Sequence, residues 1–125
     1  DYRKNMSMIG LVQKAGHQEI VAIGTYAQED DTSAEVAFVV REDFQGMGIA
    51  SYLLEILEGI ARENDYRRFT ATVLKDNQAM LNVFRKHYPK AHMTVTGGSE
   101  VSVVMKFDPD MPHATNMSTG LPSRE

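Results

Sequence analysis

Apolar positions fall in two periods along this chain, and the switch between them marks its elements. Met6 to Gln13 and Glu19 to Ala27 are rich in strand-favouring residues and are separated by turn chemistry at Lys14-Ala15-Gly16-His17-Gln18. Gln28 to Ser33 is acidic and polar, as a hairpin loop would be. Ala34 to Arg41 is apolar almost without interruption, which predicts a third strand buried on both faces. These three strands are expected to form an antiparallel meander.

The period then changes. Across Met47 to Asn64, Ile49, Leu53, Ile56, Leu57 and Ile60 recur at helical spacing, with Glu55, Glu58 and Glu63 off that face. Gly59 is a small penalty inside this helix, and Asn64-Asp65 supplies its left-handed stop. Arg67 to Leu74 reads as a strand again. It follows a strand, a helix and a short link, so it should run parallel to the third strand. Asn77 to His87 is a second helix, with Met80, Leu81 and Phe84 on one face and Pro89 as its stop. Ala91 to Thr96 and Glu100 to Phe107 flank Gly97-Gly98-Ser99 and predict a closing hairpin. Asp108 to Glu125 carries three prolines and little apolar content, and is expected to be a flexible tail behind a domain at 1–107. The order of three strands, helix, strand, helix and two strands predicts a mixed sheet with helices on its faces, in the α/β or α+β class.

Composition narrows the chemistry. A length of 125 residues suggests one domain, and 42% hydrophobic with 24% charged residues is ordinary for a globular protein. No apolar stretch approaches a membrane span, and the N-terminus lacks a signal-peptide pattern, so a cytoplasmic chain without membrane association is expected. The net charge of −4 argues against non-specific nucleic-acid binding. With no cysteine, disulfides, a cysteine zinc site and a cysteine-bound thioester are all excluded. His17, His87, His92 and His113 show no close ligand spacing, so no metal is expected.

One motif carries chemistry. Gln45-Gly46-Met47-Gly48-Ile49-Ala50 lies between the third strand and the first helix. Glycines at such a junction leave N–H groups bare beside the positive end of a helix dipole, which favours bound phosphate. It is not a P-loop, because no Gly-Lys-Ser/Thr follows, and not a dinucleotide fingerprint, which needs a third glycine. The alternative reading is a tight turn whose glycines allow close packing. In a chain of net negative charge an anionic ligand needs local helpers, for which Arg41 and Lys75 are the candidates.

The spacing Gln-x-x-Gly-x-Ala resembles the Gln/Arg-x-x-Gly-x-Gly/Ala signature of the GNAT-type N-acetyltransferases. Two further segments carry the resemblance. Ala34 to Val40 is similar to the strand that leads into that family's pyrophosphate loop, and Asn77-Gln78-Ala79-Met80 with Phe84-Arg85-Lys86 is similar to its Asn-x-x-Ala…Leu-Tyr-x-Lys helix. The likeness covers roughly Met6 to Phe107, and within the family it is greatest to the acetyltransferase domain of bacterial protein lysine acetyltransferases. It implies a mostly antiparallel sheet with a central, splayed parallel strand pair and helices on both faces. It also implies that the family's first strand and the helices after it are missing here, as in a piece of a longer multidomain chain.

The resemblance further implies acetyl-CoA as cosubstrate, with its pyrophosphate on the N–H groups of Gln45, Gly46, Met47, Gly48, Ile49 and Ala50. Pantetheine would lie in the wedge between the parallel strands, lined by Phe38, Val39 and Val40 and by Thr72, Val73 and Leu74. Asn77 would bond the pantetheine or CoA, or else serve only as a helix N-cap. A lysine amine has a pKa of about 10.4, so about one in 10³ molecules is neutral at pH 7, and a base is needed. Glu35 is the candidate general base, its alternative being an exposed strand-end charge; Glu29, Asp30 and Asp31 are weaker candidates. The backbone N–H of Val39 or Val40 could receive the oxyanion. Where many relatives carry a tyrosine general acid, this chain has Phe84, with Tyr88 one turn on and Tyr52 expected to be helix packing. The acceptor expected is a protein lysine, such as one on an acyl-CoA synthetase, attacked directly in a ternary complex. A small amine or amino acid is the second reading, and a non-catalytic CoA-binding sensor the third.

Overall fold

The computed structural model describes residues 4–109, so nearly all of the expected tail at 108–125 lies outside it. Its strands are β1 (Asn5–Lys14), β2 (His17–Gln28), β3 (Ser33–Val40), β4 (Arg68–Leu74), β5 (His92–Thr96) and β6 (Glu100–Lys106), and its helices are α1 (Ile49–Glu63) and α2 (Gln78–His87). A short 3-10 turn at Glu42–Phe44 joins β3 to the glycine segment. The strands form one sheet in the order β1-β2-β3-β4-β6-β5, antiparallel throughout except where β3 meets β4. The mixed sheet and the parallel pair are as the sequence predicts.

Local chemistry fixes the turns. The β2–β3 loop is closed by Asp30, whose Oδ1 accepts the Thr32 N–H at 2.9 Å. That bond, from the Thr32 backbone, holds the Asp30 carboxyl below its usual range. Helix α1 stops at Asp65, whose φ of 72° lets the Tyr66 N–H reach back to the Ala61 carbonyl at 3.0 Å. The left-handed residue is thus Asp65 of the expected Asn64-Asp65 pair.

Among the described residues both helices cover the same face of the sheet, which corrects the expectation of helices on both faces. Leu54, Leu57 and Ala61 of α1 and Leu81 and Phe84 of α2 share one core with Ala34, Val36, Phe69, Ala71, Val103 and Met105. The two helices meet over Phe38. A β-carbon on Gly24 would stand 2.8 Å from the Phe38 ring and 3.2 Å from Leu57 Cδ1, and the Phe84 ring centroid lies 6.3 Å from that of Phe38. The physical reason lies in the connections. The β3-α1-β4 crossover sets α1 on one face. Helix α2 then packs beside it, its end tied to α1 by the Tyr88 hydroxyl, which donates to Glu58.

Among the described residues no helix covers the other face. Ile9, Ile23 and Val39 lie in register across β1, β2 and β3, and Val39 is 69% exposed. So β3 is buried on one face only, contrary to its continuous apolar run. Alternation still decides which residues are inside: Ala34 and Val36 are buried, whereas Glu35 and Ala37 are exposed. Helix α1 likewise begins at Ile49 rather than Met47, because Gly48 in the left-handed region occupies its N-cap.

Candidate functional site

The site begins where the sheet comes apart. Strands β3 and β4 pair only through Ser33–Arg68, Ala34–Phe69 and Glu35–Thr70. Beyond these, β3 continues along β2 as far as Val40, and β4 continues along β6 as far as Leu74. Each strand keeps its outer partner and loses its inner one, and a wedge opens between them. The Arg41 N–H donates to the Val21 carbonyl at 2.8 Å. In an antiparallel ladder this alternation turns the backbone groups of Val39 toward β2 and those of Val36, Phe38 and Val40 toward the gap. Gln45 Nε2 takes one of these groups, the Val40 carbonyl, at 3.1 Å.

A cleft of about 210 Å³ fills the wedge, lined by Val36, Ala37, Phe38, Ala71, Thr72, Val73 and Leu74 from the strands and by Asn77, Met80 and Phe84 from the side of α2. Next to it lies a second cavity of about 340 Å³, which shares Asn77 and Met80 and is walled by Gln45, Gly46, Gly48 and the first turn of α1. The two adjoin at Asn77 and Met80 and together form the groove referred to below. Ligands bind in such places, at the carboxyl ends of parallel strands.

The glycine segment has a definite geometry. Gly46 and Gly48 have φ of 80° and 83°, and a β-carbon on either would meet nothing within 4 Å. Positive φ therefore requires these glycines, and close packing inside the protein does not. The space in front of them is open. No side chain caps α1, and its first helical bond runs from the Tyr52 N–H to the Gly48 carbonyl. The N–H groups of Ile49, Ala50 and Ser51 are thus left without intrahelical acceptors beside the cavity that these residues line.

Other predicted residues divide. Asn77 is the N-cap of α2, its side chain accepting the Met80 N–H at 3.1 Å, and it also lines both parts of the groove. The cap uses its oxygen, so its amide NH2 is the part available to a ligand. Val39 and Met47 line neither cavity; their side chains are exposed. Glu35 stands on the open face at the last paired position before the strands separate. Beside it, Glu29 Oε1 accepts a hydrogen bond from Thr70 Oγ1 at 2.9 Å, and Asp30 is occupied in its own loop.

Neither expected cationic helper serves the groove. Arg41 donates to Glu19 at 3.0 Å and to Asp43 at 2.8 and 2.9 Å, with its guanidinium over the Phe44 ring. These bonds, Asp43's first and then Glu19's, push its pKa up, and the bond from Arg41 holds the Asp43 carboxyl down. Lys75 lines neither cavity. The cation at the groove is Lys86, which stands out in the sequence only as part of the second helix's motif. A signal for it exists in the spacing: Ala79, Met80, Asn82, Val83 and Lys86 share one flank of α2.

The aromatic candidates resolve as follows. Phe84 is buried and lines the wedge, so no phenol stands there. Tyr88 is buried elsewhere, its hydroxyl committed to Glu58, whose other oxygen accepts from Arg62 Nε at 2.8 Å. Burial first, and then the Glu58 carboxylate, raise the Tyr88 phenol well above the ordinary tyrosine range. It is no proton donor to the wedge. Tyr52 is 55% exposed and lines no part of the groove, so the expectation that it packs is not met. Among the described residues no three His, Cys, Asp or Glu side chains are placed to hold a metal, and no helix is long and apolar enough to cross a membrane.

The model of the acetyltransferase (GNAT) family matches residues 2–88. An acetyltransferase of Pseudomonas aeruginosa is 31% identical over 81 residues, which are 64% of this chain and 44% of that one. The acetyltransferase Pat of Mycolicibacterium smegmatis is 41% identical over 66 residues, 51% of this chain and 20% of its own. Among solved structures, the GNAT domain of S. lividans PAT aligns with a TM-score of 0.71 at 28% identity, over 86% of this chain and 63% of that one. A cAMP-binding acyltransferase from Mycobacterium smegmatis gives 0.72 at 29% identity, over 87% of this chain and 33% of its own. The matched part of each curated relative is less than half its length.

Proposed function

Since the chain belongs to the acetyltransferase (GNAT) family, we propose that its groove takes acetyl-CoA and that it moves the acetyl group to a lysine amine of another protein, for example an acyl-CoA synthetase. The observation that carries this reading is the adjacency of the two cavities. A narrow wedge between two splayed strands shares Asn77 and Met80 with a cavity walled by bare N–H groups and two positive-φ glycines. That arrangement suits a thin, amide-bearing arm ending in a pyrophosphate.

The chain's own residues then have distinct tasks. The N–H groups around Gly46, Gly48, Ile49 and Ala50 hold the pyrophosphate. The gap-facing backbone of Phe38 and Val40 bonds the pantetheine amides and offers an N–H to the carbonyl oxygen as it gains charge. Asn77 offers its amide NH2. Glu35 accepts the amine proton, directly or through a water. The amine nitrogen bonds to the thioester carbon, the carbon–sulfur bond breaks, and CoA leaves as a thiolate. A thiol pKa of about 8.5 makes that departure feasible without an acid, which accords with Phe84 in the wedge. With no cysteine in the chain, transfer is direct from thioester to amine in a ternary complex.

Glu35 lies on the exposed face of the sheet, where a lysine carried on a protein surface has access. The resemblance of the sequence motifs to bacterial protein lysine acetyltransferases supports the same acceptor class. The test incubates the chain with acetyl-CoA and, separately, a purified acyl-CoA synthetase and a panel of free amines and amino acids. Acetylated lysine on the protein, detected by mass spectrometry, is the expected result. Acetylation confined to the free amines would replace this reading with small-amine transfer. CoA binding without transfer to either would leave a non-catalytic CoA-binding module.

A further inference from the structure

Gly24 lines neither cavity. It sits within β2, paired with Met8 of β1 and with Phe38 of β3. It is buried, and its φ lies outside the left-handed region, so its backbone conformation does not require glycine. What excludes a side chain is the Phe38 ring. An added β-carbon would stand 2.8 and 2.9 Å from two ring atoms, Cε1 and Cδ1, and 3.2 Å from Leu57 Cδ1. Contacts that short do not persist, so a side chain at this position would force the ring aside.

The direction of that shift matters. The ring leans from β3 over β2, away from β4. Leu57 of α1 reaches the same spot from the helix side. The ring also lines the wedge, where the Phe84 ring lies with its centroid 6.3 Å away. A ring pushed off β2 therefore moves into the wedge. In the acetyl-CoA reading the Phe38 backbone holds the thioester, so this ring stands beside the acyl group.

We infer that Gly24 is a positioning residue that sets the width of the wedge through the Phe38 ring, and so limits the length of the acyl group the chain accepts; this rests on the acetyl-CoA reading above. Phe38 and Phe84 have no polar side-chain atom, so these two walls tell acyl groups apart by size alone. One methylene in an apolar pocket is worth about 10–200-fold in discrimination.

The test is calorimetric titration with acetyl-CoA and with butyryl-CoA, for the native protein, Gly24→Ala, Phe38→Leu and the double variant. The readout is the ratio of the two dissociation constants, which a smaller folded fraction does not move. Gly24→Ala should turn that ratio about tenfold further against butyryl-CoA, and Phe38→Leu, which removes the ring, should turn it about tenfold the other way. The double variant should return to the native ratio or pass it, because the smaller side chain at 38 leaves room for the new methyl. A role in packing alone predicts a lower melting temperature for Gly24→Ala with an unchanged ratio. That result, or a double variant that keeps the ratio of Gly24→Ala, would overturn the inference and leave the acetyl-CoA reading intact. If Gly24→Ala does not fold, Phe38→Leu decides: an unchanged ratio there overturns the inference equally. Failure of the native chain to bind either thioester would remove that reading and this inference together.

Discussion

Glu35→Gln lowers the turnover number by roughly 10²–10⁴-fold at neutral pH, the usual contribution of a positioned general base. Glutamine keeps the size and the exposed strand position but cannot accept the proton. Glu35 lines neither part of the groove, so affinity for acetyl-CoA should persist, and the loss should appear in turnover. The effect has a signed pH dependence. Raising the pH by two units increases the neutral fraction of a lysine amine about 100-fold, so the variant should regain activity steeply as pH rises while the native enzyme gains less. Steady-state rates from neutral to alkaline pH check this. Full turnover in the variant would return Glu35 to an ordinary surface charge and move attention to Glu29, which Thr70 holds on the same side of β4.

Gly48→Ala abolishes acetyl-CoA binding at ordinary concentrations, by a factor of about 10² or more, equivalent to losing two charge-assisted hydrogen bonds. The cost to the fold is smaller. A φ of 83° imposes about 1–2 kcal/mol on an alanine, and the added methyl meets no protein atom within 4 Å. That empty space is where a phosphate would approach the α1 N-terminus. The variant should therefore melt a few degrees lower, still cooperatively, and show no protection by acetyl-CoA. Retained protection would mean that the anion sits elsewhere in the groove.

Much of the fold and part of the groove are legible in the residues alone. Periodicity places all six strands and both helices, and the Gln45–Ala50 segment marks one wall of the larger cavity. Two glycines at a strand-to-helix junction state a backbone requirement directly, because only positive φ or open space demands them. Asn77 is legible for the same reason: a capping side chain announces itself just before a helix.

What is not legible depends on long-range register. Arg41 sits beside the motif in sequence, but β2–β3 pairing brings Glu19 to it and removes it as an anion partner. The continuous apolar run of β3 suggests burial on both faces. Which face is covered is decided by where α1 and α2 pack, and both take the side of Phe38. The same geometry exposes Val39 and gives the gap-facing backbone to Phe38 and Val40. Tyr88 has the right chemistry to replace the phenol absent at Phe84, but one helical turn carries it to Glu58 on α1. Lys86 gains its meaning only from α2 lying across the cavity from the glycine turn.

Thermal unfolding with and without saturating acetyl-CoA tests the central claim most directly, since it needs no knowledge of the acceptor. At about 100 times the dissociation constant the ligand should stabilise the native chain by about 2.7 kcal/mol, a rise of roughly 10 °C in melting temperature for a domain of this size. A cooperative melt with no shift would contradict the assignment of the groove to acetyl-CoA.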